Sequence, residues 1–525
     1  FIITDAFDVS LQDVTTNDGV ITIATTGDKL DGTLTLSGDL DAGAVGNAVN
    51  IHADDISLNV TGAGSVTITS DGNNADGDTD NDLTITTTGS LTSSTAWNDG
   101  LILDAGNSTL VIGGATLNQL DHLGLTAGTL SVGSVTVGDD DAGVGNAFAA
   151  TTTVGDLELT GAISTIGESS AGSVALSSAG DIVINGTASV LTDGTADANI
   201  TINDDIEGTT IGTDNLTLTS GSGTIAINGA VGVTTNLNSF TANATGGTVD
   251  VNNIIDADAI SLIGTTVDLN NAAVTSLTVT GDVGTDGGNL LIRTDTLNTH
   301  ANNTYVGAVA GTQTVTFGVL TAGTDIDLGN STVAGLDVVE ATLADVQTNI
   351  ETIIIGESGH TGDVYINAAD GTVNSPVSLT INADGAGSEI NVQDNITVAG
   401  DMTVNGSRDS FNINPGAGNT VTIDTSASNG NVTINDTIEF VDAGADLAIT
   451  TGNGNVVLAG SVVAETTADG GEDITITSSG DVTLGRDGQG DTFGGNGANE
   501  SLGQIQVNAT TGTLTIEAAL DLAGA

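Results

Sequence analysis

The residues best equipped for chemistry in this chain are carboxylates. Asp71, Asn73, Asp76, Asp78, Asp80 and Asp82 follow one another within a short stretch that contains no basic side chain. In an extended segment Asp76, Asp78, Asp80 and Asp82 share one face, because successive side chains alternate between faces. Hard oxygen ligands at that density suit Ca²⁺, which takes about 6–8 oxygens in flexible geometry. Asp139, Asp140 and Asp141 form a weaker group of the same kind, as do Asp54/Asp55, Asp204/Asp205 and Asp469/Glu472/Asp473. The competing reading of each group is a solvated acidic loop, and both readings stand on sequence alone. The expected metal ligands are therefore Asp71, Asn73, Asp76, Asp78, Asp80, Asp82 and Asp139–Asp141, with Ca²⁺ as the expected cofactor.

Other chemistries find little support. His52, His122, His300 and His360 are isolated, with no His-x-His or His-Glu-x-x-His spacing and no cysteine to complete a zinc site. No Gly-x-Ser-x-Gly elbow or phosphate-binding loop with its Lys occurs. The four basic residues, Lys29, Arg293, Arg408 and Arg486, are scattered and have Asp close by, which reads as local ion pairing. No catalytic residue is assigned, and the chain is read as not an enzyme. The enzymatic alternative is a polysaccharide-cleaving β-helix.

Charge narrows the partners. There are 67 acidic residues against four basic ones, a formal charge of −63. Binding to nucleic acid phosphates needs Lys and Arg, so that class is excluded, and attraction to anionic membranes is disfavoured. Self-repulsion on this scale opposes compaction unless divalent cations or high salt screen it. Without cysteine there is neither a disulfide nor a thiolate metal site. No apolar run approaches the ~20 residues of a membrane span. Phe1 reads as a processed or excised start.

The elements that must carry these residues are written in one recurring phrase: a glycine, a small residue, then an alternating aliphatic triplet. Examples are Gly64–Ile68, Gly180–Ile184, Gly223–Ile227, Gly247–Val251, Gly454–Leu458, Gly480–Leu484 and Gly512–Ile516. A turn residue followed by period-2 alternation is a short strand with one buried face, and its repetition along a chain is the signature of a solenoid. Aromatics make up 2% of the residues, too few for a string of β-sandwiches with aromatic cores. The predicted fold is all-β, a parallel, right-handed β-helix continuous over 1–525. Rungs of about 20–25 residues would give about 20 turns. Asn185, Asn203, Asn228, Asn252, Asn382, Asn405 and Asn435 recur just after strands. They fit either left-handed turns or amide ladders between rungs. Two larger echoes, 199–207 with 431–439 and 41–48 with 141–147, suggest a duplicated rung and a duplicated loop. Leu336, Val339, Leu343, Val346 and Ile350 fall at helical spacing, which predicts one short amphipathic helix over 335–352 packed on the solenoid side.

The phrase resembles the repeats of filamentous haemagglutinin-like adhesins and other large bacterial β-helical surface proteins. Its clearest carriers are Ser170–Leu176, Ser178–Ile184, Thr451–Leu458 and Ser478–Leu484. The resemblance covers nearly the whole chain in style and implies a secreted, right-handed β-helix that mediates adhesion or builds surface fibres. The segment 71–82 is also similar to the start of an EF-hand loop, without its sixth-position Gly or distal Glu. The segment 485–495 is superficially similar to the calcium-binding nonapeptide repeat of secreted toxins, though neither tandem nor in register. The leading functional expectation is an extracellular structural protein that builds a filament, sheath or surface layer, stabilised by Ca²⁺. Its partner would be itself, end to end through Phe1–Ile3 and Leu514–Leu522. The alternatives are an adhesin rod binding cell-surface glycans and the polysaccharide-active enzyme.

Overall fold

Aliphatic side chains at every second position, separated by Gly, Asp and Asn, fold into short strands that stack in parallel. In the computed structural model the chain is nearly all β and forms a parallel β-solenoid of about 15 turns. The structure describes residues 1–3, 8–16, 20–23, 30–42, 49–59, 64–70, 83–87, 90–93, 99–106, 109–112, 116–118, 120, 122–139, 146–167, 172–192, 198–271, 276–279, 288–307, 313–330, 333–347, 349–406, 411–464, 471–486, 490–494, 501–520 and 522. The chain divides into two compact units, Phe1–Gly264 and Thr265–Ala525.

The first unit shows the stacking rule directly. Leu157 and Leu159 pair in register with Ile182 and Ile184, and Phe148 and Ala150 with Val174 and Leu176. Those strands continue onto Ile206–Gly208 and Ile200–Ile202, respectively. All these inward aliphatics are at most 1% exposed. A one-residue slip would turn a whole apolar row to solvent, so alternation fixes register.

The second unit has three strands per turn, clearest from Ser378 onward. One sheet stacks Met402–Gly406, Val432–Ile434, Val456–Leu458, Val482–Leu484 and Leu514–Ile516. A second runs through Ile390–Val392, Phe411–Ile413, Ile438–Phe440, Val462–Ala464, Thr492–Phe493 and Ala519–Leu520. A third runs through Asn395–Val398, Thr420–Asp424, Asp446–Gly452, Asp473–Ser478 and Gln504–Ala509. The interior is a column of Val, Ile, Leu and Phe, each contributing roughly 1.5–3 kcal/mol when fully buried. The duplicated segments 199–207 and 431–439 each supply two consecutive strands of a turn, with Ile200, Ile202, Ile206 and Val432, Ile434, Ile438 at equivalent buried places. The echoed loop lies mostly outside the described residues.

Two expectations change. The turns number about 15 rather than about 20. Many repeats span 24–26 residues, as at Val432/Val456 and Phe148/Val174, and some are lengthened, to 30 at Asp401/Asn431 and 38 at Asp325/Asp363. The helix expected over 335–352 is a single turn, α1 (Glu340–Ala344), between strands Gly335–Val339 and Ile350–Ile355. Gly335–Val339 pairs along its whole length with Asp325–Gly329. Five parallel ladder positions outweigh the helical spacing, and a helix this short holds only through packing of buried Thr342 and Leu343.

Candidate functional site

The glycine of the recurring phrase is there for space. A Cβ on Gly430, Gly454, Gly480 or Gly512 would run into the carbonyl oxygen of the glycine one turn earlier, beginning at Gly400. The small polar residue after each glycine then bonds between turns. Asn431 N–H donates to Asp401 Oδ1 (2.7 Å), Asn455 N–H to Asn431 Oδ1 (2.8 Å), Asp481 N–H to Asn455 Oδ1 (2.8 Å) and Thr513 N–H to Asp481 Oδ1 (2.8 Å). The first unit repeats the device from Asp13 to Asp39 to Thr67, from Asp156 to Asp181 and from Asn199 to Thr224. Many carboxylates are thus acceptors for backbone N–H groups, a role that Asn and Asp fill equally well.

At the other end of the triplet the asparagines stack as amide ladders. Asn228 Nδ2 donates to Asn203 Oδ1 and Asn252 Nδ2 to Asn228 Oδ1, both at 3.1 Å. Asn405 Nδ2 donates to Asn382 Oδ1 (2.9 Å) and Asn435 Nδ2 to Asn405 Oδ1 (3.0 Å). Of the two readings open in the sequence, the ladder holds for these six. Asn185 instead donates to Glu158 Oε1. The left-handed backbone is taken by Asn429 (φ 58°).

Stacked carboxylates perturb one another. Burial, then Asp156, Glu207 and Asp205, push Asp181 above the ordinary Asp value. Burial and Asp446 do the same for Asp473. Burial also pushes Asp214 up, but hydrogen bonds from Thr210, Gly186 and Thr209 outweigh it and leave Asp214 below its usual value. Glu207, 8% exposed, accepts from the backbone N–H groups of Thr234 and Thr235.

The expected calcium ligands Asp71, Asn73, Asp76, Asp78, Asp80, Asp82, Asp140 and Asp141 lie outside the described residues. Asp139 ends the strand Val135–Asp139. Among the described residues no group of three or more His, Asp and Glu side chains is placed to hold a metal ion. Of the weaker groups, Asp204 accepts from Ser177 and Ser178, and Glu472 from Gly444 N–H. Lys29 and Arg408 are outside the description. Arg293 pairs with Glu357, 64 residues on, and not with its neighbour Asp295.

The terminal strands differ in burial from the strands they pair with one turn inward. Leu514, Ile516, Leu520 and Leu522 are 41–46% exposed, whereas Val482, Leu484, Phe493 and Leu502, one turn earlier, are at most 1% exposed. At the other terminus Phe1 and Ile2 are 45% and 70% exposed. Ile3, Val9, Leu11 and Val14 there are half-buried. Leu514, Ile516, Leu520 and Leu522 pair with buried Val482, Leu484, Phe493 and Leu502. Ile3, Val9, Leu11 and Val14 pair with buried Ile23, Leu34, Leu36 and Leu40, so both sets are sheet-edge positions among the described residues. Ile2 pairs with half-buried Thr22 and faces outward.

Among the described residues no helix is long and apolar enough to cross a membrane. No family model, curated protein or solved structure matches the chain.

Proposed function

We propose that this chain is a structural protein of the cell exterior that associates with copies of itself, end to end, into a filament, sheath or surface layer. The observation that carries the reading is the apolar edge at Leu514, Ile516, Leu520 and Leu522, whose register-equivalents are buried one turn earlier. An unpaired edge of parallel strands is a template for another strand. Leu514–Ile516 and Ala519–Leu520 offer two such edges beside exposed aliphatics. The first turn, with Phe1 exposed and the inward-register Ile3, Val9, Leu11 and Val14 half-buried, offers the complementary edge. A head-to-tail contact of this kind does not close on itself and propagates as a fibre.

The acidity fits the same role. Copies of like charge repel one another, and Ca²⁺ between acidic segments such as 71–82 would bridge them. The test is sedimentation velocity and negative-stain microscopy of the purified chain over a range of concentrations, with Ca²⁺ and with EDTA. Open-ended oligomers are expected, shortened by Ile516→Lys and Leu520→Lys together. A monomer under every condition would overturn the reading, and so would association that the double substitution leaves untouched.

A further inference from the structure

The second unit holds a cavity of about 240 Å³ lined by Arg293, Leu320, Ala322, Glu357, Ser358 and Thr361. That is about eight water volumes, the scale of a single sugar ring. The Arg293 guanidinium donates through Nε and a terminal nitrogen to Glu357 Oε2, and the two side chains remain 39% and 29% exposed. His360, which also lines the cavity, is 6% exposed, and its Nε2 has no hydrogen-bond partner.

The chemistry of the lining selects the ligand. A cation is opposed by the guanidinium. An anion would meet the Glu357 carboxylate in the lining, and three backbone N–H groups of the two lining segments are already taken by other carboxylates. Asp295 Oδ1 accepts from Leu320 N–H (3.1 Å) and Thr321 N–H (2.9 Å). Asp384 accepts from Gly359 N–H (2.6 Å) and Ser358 Oγ (3.2 Å). An apolar molecule would strand the ion pair without water. A neutral polyol meets none of these objections. Adjacent hydroxyls can donate to the Glu357 carboxylate and accept from the guanidinium, while Leu320 and Ala322 take the C–H face.

We propose that this cavity is a binding subsite for one neutral, vicinal-diol-bearing sugar unit, held by the Arg293–Glu357 pair. It is independent of end-to-end association, since it lies away from the terminal edges in sequence and uses none of their residues.

The test is saturation-transfer NMR on the full chain with methyl glucoside, methyl galactoside, methyl mannoside and N-acetylglucosamine. A ligand of about a dozen heavy atoms at ordinary efficiency binds with a Kd of about 1–10 mM. At least one probe is expected to bind in that range. Arg293→Gln and Glu357→Gln should each weaken it tenfold or more with an unchanged circular dichroism spectrum. Ala322→Trp fills the cavity mouth and leaves the ion pair intact, so it decides the matter if either charge substitution fails to fold. No transfer from any probe would overturn the proposal. So would binding indifferent to all three substitutions, or displacement of the sugar by sulfate, which would mark an anion site.

Discussion

At the scale of single residues, two devices hold one turn on the next, and each makes a quantitative demand. Gly454 is stacked so closely on Gly430 that any side chain meets backbone, which cannot rotate away. Gly454→Ala must therefore widen the spacing of two turns. Overpacking of this kind costs about 1–3 kcal/mol, visible as a lowered denaturation midpoint for the second unit. Asn405 is the middle of an amide ladder, with Asn382 on one side and Asn435 on the other. Asn405→Ala leaves an acceptor and a donor without their partners in a half-buried place, a loss of about 1–3 kcal/mol. Asn405→Gln, which keeps the amide but moves it by a methylene, is expected to recover little of it. A midpoint unchanged in Asn405→Ala would show that the ladder contributes nothing net.

At the scale of elements, α1 carries the clearest titration. Asp345 follows the helix, and burial pushes its carboxyl up to about 6 from an ordinary 3.8. A carboxyl raised in the folded state contributes stability that is fully present below 3.8 and lost as pH rises through about 6. At pH 7 the buried charge is therefore a burden, and Asp345→Asn should melt higher than the parent there. The two should converge near pH 4, and equal melting temperatures at both pH values would refute the assignment. The same region shows where sequence reading fails. Leu336, Leu343, Val346 and Ile350 are all buried, as an amphipathic helix requires, but Leu336 and Val338 are buried because a strand alternates there. Helical and strand periods overlap over so few residues, and pairing with Asp325–Gly329 decides between them. The aliphatic triplets elsewhere were legible because alternation and register coincide, turn after turn. The ladder role of Asp401, Asp481 and Asp39 was not, since an Asp in a turn and an Asp bonding the next turn have the same local sequence. Nor was Glu357 as the partner of Arg293, because loop lengths set which residues lie on adjacent turns.

At the scale of the whole molecule, the question is what offsets a charge of −63. Many carboxylates accept hydrogen bonds from backbone N–H groups, but these bonds leave the mutual repulsion in place. Asp181 and Asp473 are held above their usual values partly by neighbouring acids, which is that repulsion expressed at single sites. Two remedies make different predictions. Generic screening depends on ionic strength alone, with a Debye length of about 8 Å at 0.15 M. NaCl would then raise the melting temperature as well as CaCl₂ does at matched ionic strength. Ca²⁺, if held by the acidic segments, would stabilise through mass action, growing with the logarithm of concentration above its dissociation constant. The expected outcome is that EDTA lowers the melting temperature sharply, that millimolar Ca²⁺ restores it, and that NaCl at equal ionic strength does not. Replacing Asp76, Asp78, Asp80 and Asp82 together by Asn should then abolish most of the calcium response while preserving the response to NaCl. If the fourfold variant responds to Ca²⁺ as the parent does, the segment 71–82 is not the site. If NaCl substitutes fully for Ca²⁺, the acidity serves solvation in a saline medium and calcium has no specific part in the fold.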